Sequence, residues 1–173
     1  EKWGAAPAPR PSAPGDFLGA QLAHVLERVA GSRGAVIFLP SIGWGIHLVQ
    51  RPHHLARVLA RRGYVVIFDC SNSDDKVDGF REVEPNVFLF RGKPETLHAI
   101  PSPMLWAFPY NVPAAEAFPA GAKTIYDWID DLEVFPYDRA TLQRNHDRAL
   151  QRAERVLCVA RRLHAEALRA RPD

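Results

Sequence analysis

The chain has 173 residues, enough for one domain with a sizeable core. Hydrophobic residues make up 47%, charged residues 24%, and the formal net charge is +2; a balance this ordinary and evenly spread argues against nucleic acid or an anionic membrane as the partner. Cys70 and Cys158 are the only cysteines and form no CxxC, which fits a reduced, buried pair in a cytoplasmic protein.

No apolar run approaches the roughly 20 residues that a transmembrane helix needs, so no membrane span is expected. The first residue is Glu1 rather than Met, which reads as a piece of a longer parent. Residues 1–15 are rich in Ala and Pro and are expected to be an extended linker. Residues 16–173 are expected to form one domain.

Asp16 is placed to cap a helix running to about Ala30, with Phe17, Leu18, Leu22, Val25, Leu26 and Val29 along one side. Gly31 and Gly34 break the chain, and a βα rhythm follows. Short apolar runs without strict alternation predict strands at 35–39, 64–68, 87–90, 104–108, 123–127 and 155–159, each with both faces covered. Between the first two lies a helix over 52–62, with Leu55, Val58 and Leu59 as its buried stripe and Gly63 as its stop. Shorter helices are expected at 94–99 and 113–118, longer ones at 140–152 and 160–169. Alternation of this kind predicts a doubly wound, mostly parallel, Rossmann-like α/β sheet.

In such sheets ligands bind outside the carboxyl ends of the strands, which directs attention to three loops. The first spans 41–50. Gly43 and Gly45 permit close backbone approach or a positive φ, Trp44 offers a flat apolar face, and His47 a titratable group. Arg51 is a poor helix N-cap and Pro52 donates no N–H, so the first-turn amides near His53 and His54 are expected to be free for an anion or water. The alternative is a tight turn with Trp44 packed inward. The second loop, Tyr126-Asp127-Trp128-Ile129-Asp130-Asp131-Leu132, gathers three carboxylates at the end of a core strand. Such charge needs a sugar hydroxyl, a backbone N–H or an arginine as its partner; Asp130 and Asp131 can equally cap the next turn. No histidine stands at metal-ligand spacing beside them, and no metal is expected. The third loop carries Tyr110 and Asn111, candidate ligand contacts or plain turn residues. Asp69 ends a strand where a dinucleotide enzyme holds a ribose, but the glycine fingerprint is missing because position 48 is Leu. His98, His146 and His164 fall on helical faces and are expected to be solvated.

Two segments carry a resemblance. Gln50-Arg-Pro-His-His-Leu-Ala-Arg-Val-Leu-Ala-Arg-Arg-Gly63, after a glycine-bearing loop, is similar to a signature "RPQHLA…LARRGH.V", and Tyr126 to Phe135 is similar to "YD..DDL..F". Both resemble the amino-terminal domain of GT-B glycosyltransferases, in particular bacterial family 4-like enzymes of cell-surface polysaccharide synthesis, including the teichuronic acid type. The run Ala153 to Leu163 resembles the last strand and helix of that lobe, with Ala160 where a serine is usual. The likeness covers about residues 34–170.

The resemblance implies one of two Rossmann-like lobes, the side that mainly binds the acceptor. A carboxyl-terminal lobe would hold the nucleotide-sugar, which is a co-substrate rather than a bound cofactor. It implies sugar transfer to a saccharide or lipid-linked acceptor, and it leaves open peripheral membrane association of a parent. His47, Asp127 and Asp130 are then the candidates to orient the acceptor hydroxyl or take its proton. Gly43, Trp44, Gly45, Arg51, His53, Tyr110, Asn111 and Asp131 are the candidate substrate contacts, and the loop over 41–47 would meet the donor diphosphate. The chain alone is expected not to turn over. Two other readings compete: an NAD- or flavin-dependent Rossmann enzyme, and a non-catalytic docking module of the same fold.

Overall fold

The computed structural model describes residues 14–172. Most of the linker expected over 1–15 lies outside the described residues, and its last two positions, Pro14 and Gly15, open the first helix, α1 (Pro14–Ala30). Proline tolerates a first helical turn because its missing N–H would be unpaired there.

Seven strands follow: β1 (Ala35–Phe38), β2 (Val65–Asp69), β3 (Gly79–Glu84), β4 (Val87–Arg91), β5 (Met104–Ala107), β6 (Lys123–Trp128) and β7 (Arg155–Cys158). They form one sheet in the order β3-β4-β2-β1-β5-β6-β7. All neighbours pair in parallel except β3 and β4. The other helices are α2 (Arg51–Arg61), α3 (Val112–Glu116), α4 (Arg139–Arg152) and α5 (Arg161–Ala170), with 3-10 turns at Pro94–Ala99 and Leu132–Val134. The chain is thus a Rossmann-like α/β domain. No helix among the described residues is long and apolar enough to cross a membrane.

Successive side chains of a strand point to opposite faces, and here both faces are core. Ala35, Ile37 and Leu39, with Val65, Ile67, Leu105 and Ala107, pack with α1 and with Leu97 and Ile100. Val36 and Phe38, with Val66, Phe68, Trp106 and Phe108, pack against Ala56 and Ala60 of α2. A third cluster joins Tyr126 and Trp128 of β6 to α4 and α5. Burial on both faces is why these strands read as unbroken apolar runs.

β3 is the strand that the sequence reading lacks. Its burial runs from buried Gly79 and Phe80 to exposed Arg81 and Glu82, as suits an edge strand, where charge discourages pairing with other chains. A two-residue turn at Pro85 and Asn86, with Asn86 at φ 64°, returns it antiparallel onto β4. The expected short helix at 94–99 is a 3-10 turn.

The topology sets the position of the site. From β1 the chain steps outward through β2 to β4 and β3, then crosses back to β5 on the other side of β1 and steps outward again through β6 and β7. The loops leaving β1 and β5 therefore diverge, and the carboxyl ends of strands at such a switch point are where open α/β sheets bind ligands.

Candidate functional site

Near this switch point lies a buried carboxylate. Asp127, fully buried near the end of β6, takes a forked bond from Arg51 at the start of α2: Nε donates to Oδ2 at 2.9 Å and Nη2 to Oδ1 at 3.1 Å. The Trp106 indole N–H of β5 adds a third bond to Oδ2 at 3.0 Å. Ile125 lies opposite Trp106 in the sheet, and Asp127 two residues on shares that face. Two of the candidates are thereby joined in a single contact. Asp127 has both oxygens engaged and no solvent access, so its role is to hold Arg51, whose side chain is 41% exposed.

The two diverging loops are laced together across the switch point. The Asn111 side chain, buried, accepts from the Phe108 N–H at 2.7 Å and donates to the Pro40 carbonyl at 3.0 Å. It is a clamp between strand ends. Tyr110 and Ser41 share a hydroxyl hydrogen bond at 2.8 Å. Burial pushes the Tyr110 phenol up, so it stays protonated. Its ring stacks on Phe108 at 5.7 Å and on Tyr137 at 5.5 Å, and Tyr137 is 55% exposed.

In the loop after β1, Trp44 packs inward rather than outward. Its ring lies 5.3 Å from His53 and 5.2 Å from Phe68, and the Arg57 guanidinium sits 4.9 Å over it. Neither Gly43 nor Gly45 is among the glycines with positive φ; close approach is what they permit, and Asp75 uses it. The Trp44 and Gly45 N–H groups donate to Asp75 Oδ2 and Oδ1 at 2.7 and 2.8 Å.

The expectation of free first-turn amides is corrected. The His53 and His54 N–H groups both donate to the Gln50 carbonyl, at 3.0 and 3.3 Å. The His53 ring does the work of a capping side chain: Nδ1 accepts from the Gln50 N–H at 3.1 Å. Nε2, left with the proton, donates to the Gly43 carbonyl at 3.0 Å. His53 is 1% exposed and latches the loop onto α2.

Two other expectations change. His146 is buried, not solvated, because α4 turns Leu142, Asn145, His146, Ala149 and Leu150 to the core. Its Nδ1 meets the Tyr126 hydroxyl at 2.8 Å, and its ring abuts Trp128 at 4.3 Å. Cys158 is only half-buried, whereas Cys70 is fully buried, and both thiols are free. Burial, with Asp75 nearby, pushes the Cys70 thiol up to about 12, which leaves it inert.

Asp130 and Asp131 are exposed. An Asp130 oxygen accepts from the Asp131 N–H at 2.9 Å. Asp131 pairs with Arg162 of α5. His47 is exposed on the loop rim and makes no side-chain hydrogen bond among the described residues. Of the candidates, His47, Arg51, Tyr110 and Asp130 thus present atoms to solvent at the carboxyl edge, and His53, Asn111 and Asp127 build the frame beneath them. Asp69 is buried, and its carboxylate accepts from the Ser71 N–H at 2.9 Å and from the Ser71 hydroxyl.

Sequence reasoning missed Trp106, Ser41, Tyr137 and Asp75. Trp106 reads as one more core residue, although its place near the end of a strand was a usable signal for an N–H aimed at the edge. Asp75 has no spacing signal, because its partners lie 30 and 31 residues upstream.

Burial drives the His146 imidazole below its ordinary value, against opposing pulls from Asp147 and Glu166. The fold thus favours the neutral ring. Its contribution to stability is complete above the unfolded value near 6.5 and is lost as pH falls from there through the depressed folded value. Urea unfolding at pH 7.5 and pH 5 is expected to show a larger loss for the natural chain than for His146→Phe.

No protein-family model, curated protein or solved structure matches this chain.

Proposed function

We propose that the chain is the acceptor-side lobe of a GT-B-type glycosyltransferase, acting with a donor lobe that binds a nucleotide-sugar, in cytoplasmic synthesis of a cell-surface polysaccharide. The observation that carries this reading is the junction of Arg51 with Asp127. The two segments on which the resemblance rests are 76 residues apart in the chain, and they meet in one forked contact at the carboxyl edge of the sheet.

The chemistry of the rim supports the same reading. Tyr137 presents an exposed aromatic ring backed by Tyr110, a flat surface of the kind that packs on the C–H face of a sugar. The Ser41 hydroxyl lies next to this stack, bonded to the Tyr110 hydroxyl. Transfer breaks the bond from the sugar's anomeric carbon to the nucleotide diphosphate and forms one to an acceptor oxygen. The diphosphate leaves with the bonding pair, and the acceptor's proton passes to a base. His47 and Asp130 are the exposed groups suited to orient that hydroxyl or take its proton. Asp127 serves by fixing Arg51.

Ligand-observed NMR on the 173-residue chain, with oligosaccharides, nucleotide-sugars, NAD and FMN in one panel, tests the reading. Weak saccharide binding that is lost in Tyr137→Ala is expected. NAD or FMN binding without any saccharide signal would overturn it.

A further inference from the structure

The loop after β1 has the form of an anion seat, and the chain fills that seat itself. Two successive amides, of Trp44 and Gly45, converge on the two oxygens of the Asp75 carboxylate at 2.7 and 2.8 Å. The Ser73 hydroxyl donates to Oδ2 at 2.7 Å. A Cβ on Gly43 would stand 2.9 Å from Oδ2, and one on Gly45 2.9 Å from Oδ1; the two glycines clear the space that the carboxylate occupies. Consecutive backbone N–H groups of this kind make concavities that bind phosphate in many proteins.

The carboxylate is held in the seat by hydrogen bonds rather than by an ion pair. Burial on its own would raise the Asp75 pKa, but the Ser73 hydroxyl and the Gly45 and Trp44 amides outweigh it and hold the carboxyl below the ordinary range. No Lys or Arg forms an ion pair with Asp75 among the described residues. The seat opens into a shallow pocket of about 400 Å³ that Asn72, Ser73, Asp74 and Ile46 also line. An arriving phosphate would therefore have to displace a tethered, hydrogen-bonded carboxylate beside the second negative charge of Asp74, while the nearby guanidiniums are engaged elsewhere, Arg57 over the Trp44 ring and Arg91 on the Ser73 and Cys70 carbonyls.

We propose that Asp75 is a specificity-determining residue of this loop: it occupies the amide seat in cis and so excludes phosphoryl groups and other external anions, leaving the pocket to uncharged, hydroxyl-bearing parts of a ligand. This differs from the expectation that the loop holds a donor diphosphate, and it stands on the loop geometry alone, whatever the fate of the glycosyltransferase reading.

The test is titration of inorganic phosphate and pyrophosphate into the isotope-labelled chain and its Asp75→Ala variant, following the Trp44 and Gly45 amide resonances. In the natural chain both are expected to stay in place. In Asp75→Ala both should shift saturably, with an apparent affinity at least about tenfold higher. Equal shifts in the natural chain would overturn the proposal, because the carboxylate would then be no barrier. A folded Asp75→Ala that binds neither anion would overturn it as well, because the amides would then be no anion seat. If Asp75→Ala fails to fold, Asp75→Asn keeps one acceptor oxygen and removes the charge. It should show a smaller but saturable shift of the same two amides, and its absence would count against the proposal.

Discussion

Arg51→Ala is expected to lower the unfolding free energy by about 3 kcal/mol, because it leaves the Asp127 carboxylate buried with one neutral donor. The three bonds onto Asp127 are its whole environment: two from Arg51 and one from Trp106. Breaking a buried pair on one side typically costs about 3–5 kcal/mol. The lower end applies because the Arg51 side chain is 41% exposed, so water already screens part of the interaction. Arg51→Lys keeps the charge but loses the fork, and should fall between the two. The double variant Arg51→Ala with Asp127→Asn should recover part of the loss, since no uncompensated charge then remains. Urea denaturation of the natural chain, Arg51→Ala, Asp127→Asn and the double variant gives the coupling energy directly. Purely additive losses would show that the forked contact contributes nothing beyond its separate halves.

Phe38→Ala is expected to cost more, about 4 kcal/mol, within the range for emptying a buried aromatic site. Phe38 is fully buried at the end of β1. It stacks between Phe68 at 5.6 Å and Trp106 at 5.3 Å. Those two rings are the footing of the site. Trp106 carries the N–H that holds Asp127, and Phe68 lies beneath His53 at 5.6 Å. A cavity at Phe38 therefore loosens both the Arg51 contact and the latch on the β1–α2 loop, and Phe38→Leu should restore most of the stability. Thermal and urea unfolding measure the loss. Amide exchange at Trp44 and Gly45 reports whether the loop loosens with it, as is expected.

The fold was largely legible because its central strands are buried on both faces. Ala35-Val-Ile-Phe38 and Val65-Val-Ile-Phe68 leave little choice but parallel core strands. β3 escaped because edge exposure mixes Arg81, Glu82 and Glu84 into it, so a search for apolar runs passes over it. The pairing of Phe80 with Phe90 and the Pro85-Asn86 turn were the signals available. At the site, Arg51, Tyr110, Asn111 and Asp127 were all recognisable as residues of interest. Their division into frame and rim was not, because the bond of Arg51 to Asp127 depends on where two distant segments land in the sheet. The His53 cap was missed for a chemical reason: at the third helical position an imidazole nitrogen, rather than the Glu or Gln oxygen of a usual capping box, reaches back to the Gln50 N–H. His146 could have been placed from spacing alone, since it lies four residues from both Leu142 and Leu150 on one face of α4.

On the glycosyltransferase reading we propose, the carboxyl edge between the loops leaving β1 and β5 receives a saccharide. Chemical-shift mapping of the isotope-labelled chain against neutral oligosaccharides tests it most directly. Saturable shifts clustered at Ser41, His47, Tyr110, Asp130 and Tyr137, and absent from α1 and the β3–β4 hairpin, are the predicted result. Shifts confined to surfaces away from the carboxyl edge, or no shifts with saccharide while NAD or FMN moves the edge loops, would contradict it.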